Sequence, residues 1–289
     1  MFKESTKILK NMQELYRDTC LECSKVITKR YSTSFSLGIR AFDKKYRYPI
    51  YAIYGFVRYA DEIVDTFHEF DKENLFKNFK TDTYQAIAQK ISLNPVLHSF
   101  QYAVNKYNIP HELIEAFLHS MEMDIDKSKY DPEQYNEYIY GSAEVIGLMC
   151  LMIFCEGDLK LYDELTPYAR SLGAAFQKIN FLRDIKSDYY ERGRVYFPNV
   201  EFTEFCESQK ALIEEDIQKD FNHGLEGIKK LPVGSRLGVY IAYRYYLDLF
   251  KKIKNLPATE VAKKRIRVAD GRKAYLFLEA ILKNKFISA

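Results

Sequence analysis

Apolar residues recur at i, i+3, i+4 and i+7 along almost every long segment of this chain, and no run alternates between turn signals as a half-buried strand would. The pattern predicts an all-α protein. Prolines 49, 95, 110, 132, 167, 198, 232 and 257 punctuate it, and several fit the first turn of a helix, where a missing N–H costs nothing. The spacing predicts helices over about 5–30, 48–69, 71–91, 95–107, 110–126, 132–155, 166–190, 208–230, 232–255 and 271–285. Thr166 reads as an N-cap with Pro167 behind it. No Gly-, Ser- or Pro-rich linker, repeat or low-complexity tract divides the 289 residues, so residues 1–289 read as one helical domain.

Bulk properties remove several classes of function. A net charge of +3 gives no support to a nucleic-acid binder. Five cysteines, an odd number with no secretory signal ahead of them, point to a reduced, cytoplasmic setting. The longest apolar run, Val145–Cys155, is too short to cross a bilayer, which takes about 20 residues. The five histidines are scattered, and neither a phosphate-binding Gly-rich loop nor a dinucleotide fingerprint occurs. No nucleophile elbow suggests a hydrolytic triad.

Two segments carry chemistry. In 54–65, Tyr54, Arg58, Asp61 and Asp65 fall within roughly 60° of one helix face, flanked by apolar Ile53, Phe56, Val57, Ile63 and Val64. Two acids at i,i+4 repel, so something must compensate. In 177–188, Gln177, Asn180, Asp184 and Asp188 fill roughly 80° of a second helix, behind the small residues Gly173, Ala174 and Ala175. Two D-x-x-x-D pairs facing each other would suit Mg²⁺ that bridges to substrate phosphates: carboxylates alone repel a diphosphate, and metal ions invert that logic. Metal ions also stabilise the charge that a departing diphosphate gains. A lone pair of this kind reads as a solvated helix face; two pairs with Arg58, Arg183, Gln177 and Asn180 read as a site.

These residues resemble the squalene/phytoene synthase family. Five blocks match in the family's order: Tyr31-Ser-Thr-Ser-Phe35, 54–65, 138–147, 177–188 and Arg192-Gly-Arg-Val-Tyr-Phe-Pro198, and the resemblance spans roughly residues 16 to 280. It implies a single α-domain around a central cavity. There, two allylic diphosphates join head to head through a cyclopropyl diphosphate, with Mg²⁺, or Mn²⁺ in its place. By this resemblance Asp61, Asp65, Asp184 and Asp188 are the metal-binding acids; Glu62 belongs to the motif, and its helical angle gives it a supporting role. Arg58 binds diphosphate, and Ser32, Ser34 and Phe35 lie near the substrate head. Gln177 and Asn180 are polar groups of the catalytic centre, and Tyr196 belongs to a flap over the diphosphate. Arg183, Arg194, Arg267 and Lys273 are either further phosphate contacts or surface ion pairs. Tyr54, Phe35, Tyr138, Tyr140 and Tyr246 either face a carbocation or fill the core. The alternation of bulk at Tyr140, Gly141, Ala143 and Gly147 either leaves room for an isoprenoid tail or allows close helix packing. The family often has Leu-Thr between the Gln and the Asn; here Lys178-Ile179 stands, with Lys178 off the acidic stripe.

Within the family, the Arg-Gly-Arg-Val-Tyr-Phe-Pro form and the 31–35 and 59–65 forms look most like phytoene synthases. The expected substrate is geranylgeranyl diphosphate, with no NADPH. A squalene or dehydrosqualene synthase using farnesyl diphosphate is the alternative, and a non-catalytic assembly factor an alternative of another class. The end of the chain around Lys273 reads as a short amphipathic helix in place of an anchor, which points to peripheral membrane contact.

Overall fold

The structure, a computed structural model, describes residues 2–126, 129–198, 200 and 205–287. It is 83% helical. Among the described residues the only extended pairing is an isolated parallel bridge, Lys129 to Val195. The all-α expectation holds. The chain divides into two compact units, Met1–Ile109 and Pro110–Ala289, at a point where the sequence offers no linker.

The first unit contains α1 (Phe2–Tyr31), α2 (Thr33–Arg40), α3 (Lys44–Asp65), α4 (Lys72–Gln89) and α5 (Pro95–Tyr107). Helices α1, α3 and α5 pack on one another. Phe56 of α3 stacks on Phe100 of α5 at 3.8 Å between centroids and on Phe79 of α4 at 5.4 Å. α5 has the bounds the sequence predicts because Asn94 accepts from Val96 N and Leu97 N while Pro95 opens the helix. α3 begins earlier than predicted. Pro49 lies inside it, where it removes a single backbone bond, to the Lys45 carbonyl. The short α2 was not predicted.

The second unit contains α6 (His111–Asp126), α7 (Pro132–Ile139), a π-helical turn at Tyr140–Glu144, α8 (Val145–Cys155) and α9 (Leu159–Arg192), followed by α10 (Glu207–Lys230), α11 (Val233–Lys254), α12 (Ala258–Val261) and α13 (Asp270–Ile287). Long α9 packs on α8, the π turn, α10 and α11. It starts well before the predicted N-cap, because Asp158 accepts from Leu161 N at 3.0 Å. Thr166 is therefore a mid-helix residue that donates to the Tyr162 carbonyl, and Pro167 sits inside α9. From Pro132 to Cys155 the chain is one helical rod of 24 residues, long and apolar enough to cross a membrane, with 72% of its most apolar stretch buried in the protein. The predicted short run misses this because the apolar stretch continues through the π turn. Gly141 meets α6: a Cβ there would lie 2.4 Å from the Ala116 carbonyl. At Gly147 it would lie 3.2 Å from the Ala169 carbonyl. The small residues at 141 and 147 serve close helix packing.

Candidate active site

In the first unit the stripe forms as predicted on α3. Ile53, Phe56, Ile63 and Val64 are buried, which fixes the rotation of the helix and leaves Tyr54, Arg58, Asp61 and Asp65 half-buried together. Arg58 compensates the acids. Its guanidinium pairs with Glu62, approaches Asp61 at 3.8 Å and lies 4.4 Å over the ring of Tyr31. Glu62 thus supports the arginine. Arg58 Nε is buried and has no hydrogen-bond acceptor, so an incoming anion would satisfy it. Ser32 caps α2, its Oγ accepting from Phe35 N at 3.2 Å. Phe35 stacks on Tyr54 at 5.0 Å, and Ser34 is half-buried beside it in sequence.

In the second unit the predicted stripe forms on α9. Asn180 Nδ2 donates to Gln177 Oε1 and Tyr246 donates to Asn180 Oδ1, each at 3.3 Å, joining α9 to α11. Phe176 stacks on Tyr246 at 4.0 Å. Both acids are met by guanidinium groups. Arg183 Nε donates to Asp184 Oδ1 at 3.0 Å, Arg265 Nε lies 2.8 Å from the same oxygen, and Arg192 donates to Asp188 Oδ1 at 2.8 Å. Burial works against the charge of Arg183, but Asp184 outweighs it and holds the guanidinium above its ordinary pKa. Lys178 lies off the stripe and reaches Asp216 and Asp220 of α10, at 2.5 and 2.7 Å.

Three expected residues have other surroundings. Arg194, Tyr138 and Tyr196 are buried around Asp124 of α6. Tyr138 donates to Asp124 Oδ2 at 2.6 Å, Tyr196 donates to Oδ1 at 3.1 Å, and Arg194 lies 3.4 Å from Oδ2. Arg194 is therefore a buried ion pair and not a surface one. Burial first, and Asp124 second, raise the pKa of both phenols far above the usual tyrosine range, so they stay donors. Tyr140 lies in the π turn, 5.2 Å from the Arg170 guanidinium. Arg267 is exposed and its carbonyl accepts from Lys252. Lys273 approaches the Tyr245 ring at 5.9 Å. The sequence reading missed Asp124 and Arg265. Arg265 lies two residues before Arg267, and nothing local marks it, because its partner is 81 residues away.

Among the described residues, no three of His, Cys, Asp and Glu gather into a ready metal cage. The donor chemistry nonetheless fits a hard divalent ion. Each stripe offers two carboxylates at one-turn spacing, and such an ion completes its shell with water and phosphate oxygens.

Helices throughout, with acid-and-arginine stripes in both units, are what a diphosphate-handling helical synthase needs. A family model of squalene/phytoene synthases matches residues 28–272, and the chain belongs to that family. Its members are prenyltransferases that join isoprenyl diphosphates head to head and generally depend on a divalent metal. The chain is 29% identical to the 4,4′-diapophytoene synthase of Staphylococcus haemolyticus over 198 residues, 67% of each protein. It is 26% identical to the 15-cis-phytoene synthase of Synechococcus elongatus over 297 aligned positions, 93% of this chain and 92% of that one. Its fold matches a solved dehydrosqualene synthase with a TM-score of 0.78 at 21% identity, covering 93% of this chain and 98% of the other.

Proposed function

We propose that this chain joins two geranylgeranyl diphosphates head to head into phytoene, through a cyclopropyl (prephytoene) diphosphate, with Mg²⁺ and without NADPH. The observation that carries the reading is the pair of carboxylate stripes, each already paired with guanidinium groups, and the buried Arg58 Nε that lacks an acceptor. Bound Mg²⁺, or Mn²⁺, would neutralise diphosphate and stabilise its departure. In this reading Asp61, Asp65, Asp184 and Asp188 hold the ions. Arg58, Arg183 and Arg265 exchange a carboxylate for a phosphate oxygen, a geometry that guanidinium serves well. Gln177, Asn180 and Tyr246 fix one polar face of the site, while Phe35 and Tyr54 offer an aromatic face to developing positive charge. The family match runs from 28 to 272, through the boundary at 109–110, so the two units are read as one catalytic domain.

The C20 choice rests on the 192–198 motif and on the relative from Synechococcus elongatus, which aligns along nearly the whole chain. The relative from Staphylococcus haemolyticus favours a second reading, condensation of C15 farnesyl diphosphate. Mass spectrometry of products from C15 and C20 diphosphates, with Mg²⁺ and with or without NADPH, separates them. A C40 product from the C20 substrate, lost in EDTA and restored by Mg²⁺, is expected. A C30 product alone replaces the first reading with the second, and no product from either substrate leaves the non-catalytic assembly factor. We further place the protein in the cytoplasm, peripheral to a membrane through α13, where Tyr275, Leu278 and Leu282 are exposed on one side of the helix.

A further inference from the structure

We propose that Asp124 is a positioning residue for the acid stripe of α9: with Tyr130, Tyr138, Tyr196 and Arg194 it forms a buried clamp that fixes the segment leaving α9 and thereby aims Asp188. The proposal rests on the reading of Asp188 as a metal-binding acid. The Asp124 side chain is 5% exposed and that of Arg194 6%. A carboxylate so buried persists only where charge and hydrogen bonds both meet it. Here they come from separate stretches of chain. Tyr130 donates to Oδ1 at 2.7 Å and Tyr138 of α7 to Oδ2 at 2.6 Å. Tyr196 and Arg194 come from the segment after α9, and Arg194 Nη2 also donates to the Asp124 carbonyl at 2.8 Å.

Three links carry this clamp to α9. The Arg194 backbone N–H donates to the Asp188 carbonyl at 2.8 Å, across the left-handed turn at Gly193, φ 67°. Val195 bridges Lys129 in the α6–α7 connection. The ring of Tyr196 stacks on Phe181 of α9 at 4.2 Å, one turn before Asp184. Asp124 acts through Arg194 and Tyr196, so its role is orientation of a ligand by an outer partner. Loss of its charge would take a buried counter-charge from the Arg194 guanidinium and loosen the end of α9.

The test uses the full chain carrying Asp124→Asn and, separately, the double variant Tyr138→Phe/Tyr196→Phe. The second keeps the buried ion pair and nearly the same volume, and it provides the reading if the first does not fold. Hydrogen exchange reports the amides of 189–198, calorimetry reports binding of inorganic diphosphate with Mg²⁺, and turnover is split into kcat and KM. Expected are faster exchange at Arg194, Mg²⁺–diphosphate binding weaker by about 10-fold or more, and a larger fall in kcat than rise in KM. Ile253→Val, a core change in α11 away from the clamp, keeps wild-type binding. Unchanged exchange in 189–198, or wild-type diphosphate affinity in a folded variant, overturns the proposal. A wild-type chain that binds no Mg²⁺–diphosphate sinks the functional reading instead, while the exchange result still reports whether the clamp exists.

Discussion

Lys178 stands between Gln177 and Asn180 in sequence, yet its ammonium turns away from both, to Asp216 and Asp220. Its side chain is 11% exposed and that of Asp220 20%. Lys178→Met would leave Asp220 half-buried without its cation, at a cost of about 3 kcal/mol in denaturant unfolding. Asp220 already has a raised pKa, through burial first, with Lys178 opposing the shift. A raised carboxylate binds its proton more tightly folded than unfolded, so its contribution is present below the unfolded pKa and lost as pH rises through the folded value. Removing Lys178 enlarges that loss, so the gap between variant and wild type widens from pH 4 to pH 7; a constant gap counts against the pair. On the acid stripes, read under the proposed function as metal ligands, Asp61→Asn and Asp184→Asn each remove one carboxylate charge at nearly constant shape. Turnover should fall by roughly 100-fold or more with circular dichroism unchanged, since loss of even an outer partner of a metal ligand costs about 10–100-fold. Both stripes were legible in the sequence because 100° per residue is a local rule. Asp124 and Arg265 were not: Asp124 meets Arg194 across 70 positions and Arg265 meets Asp184 across 81, distances over which periodicity carries no information.

Helix ends were legible where a single cap competes with nothing. Asn94-Pro95 gives α5 its start, and Asp131 with Gln134 forms a capping box at α7. Prediction failed at α9 because Thr166-Pro167 imitates a start inside a helix whose true cap is Asp158. The π turn at Tyr140–Glu144 was also unreadable, since one extra residue per turn leaves no compositional mark. Its consequence is local crowding against α6. Gly141→Ala would bring a Cβ to 2.4 Å from the Ala116 carbonyl and 2.6 Å from Ser120 Cβ. The variant should lose about 1–3 kcal/mol, read by denaturant titration, because backbone cannot yield as a flexible side chain does. A neutral result would mean that α6 and the π turn are less closely apposed.

Across the whole chain, the helical class followed from period alone, whereas the division at 109–110 did not, because no shift of composition accompanies it. Surface behaviour belongs to this scale. On α13, Tyr275 is 54%, Leu278 61% and Leu282 71% exposed on one face, with exposed Arg272 at its edge. The exposed apolar face of an amphipathic helix binds lipid surfaces. Sedimentation with anionic vesicles should retain the wild-type chain and release Leu278→Asp/Leu282→Asp, with turnover on detergent-dispersed substrate preserved. Equal sedimentation of both would remove α13 as the contact.

The guanidinium groups on Asp184 and Asp188 have a consequence for the order of events. Under the proposed function, a divalent ion arriving alone competes with a guanidinium for each carboxylate, and an arginine that it displaces loses that counter-charge. An ion arriving with diphosphate lets the partners change places, carboxylate to metal and guanidinium to phosphate, and the tally of opposite charges in contact is kept. On that reading, loading is an ion exchange in which the free metal competes less well than its complex with the anion.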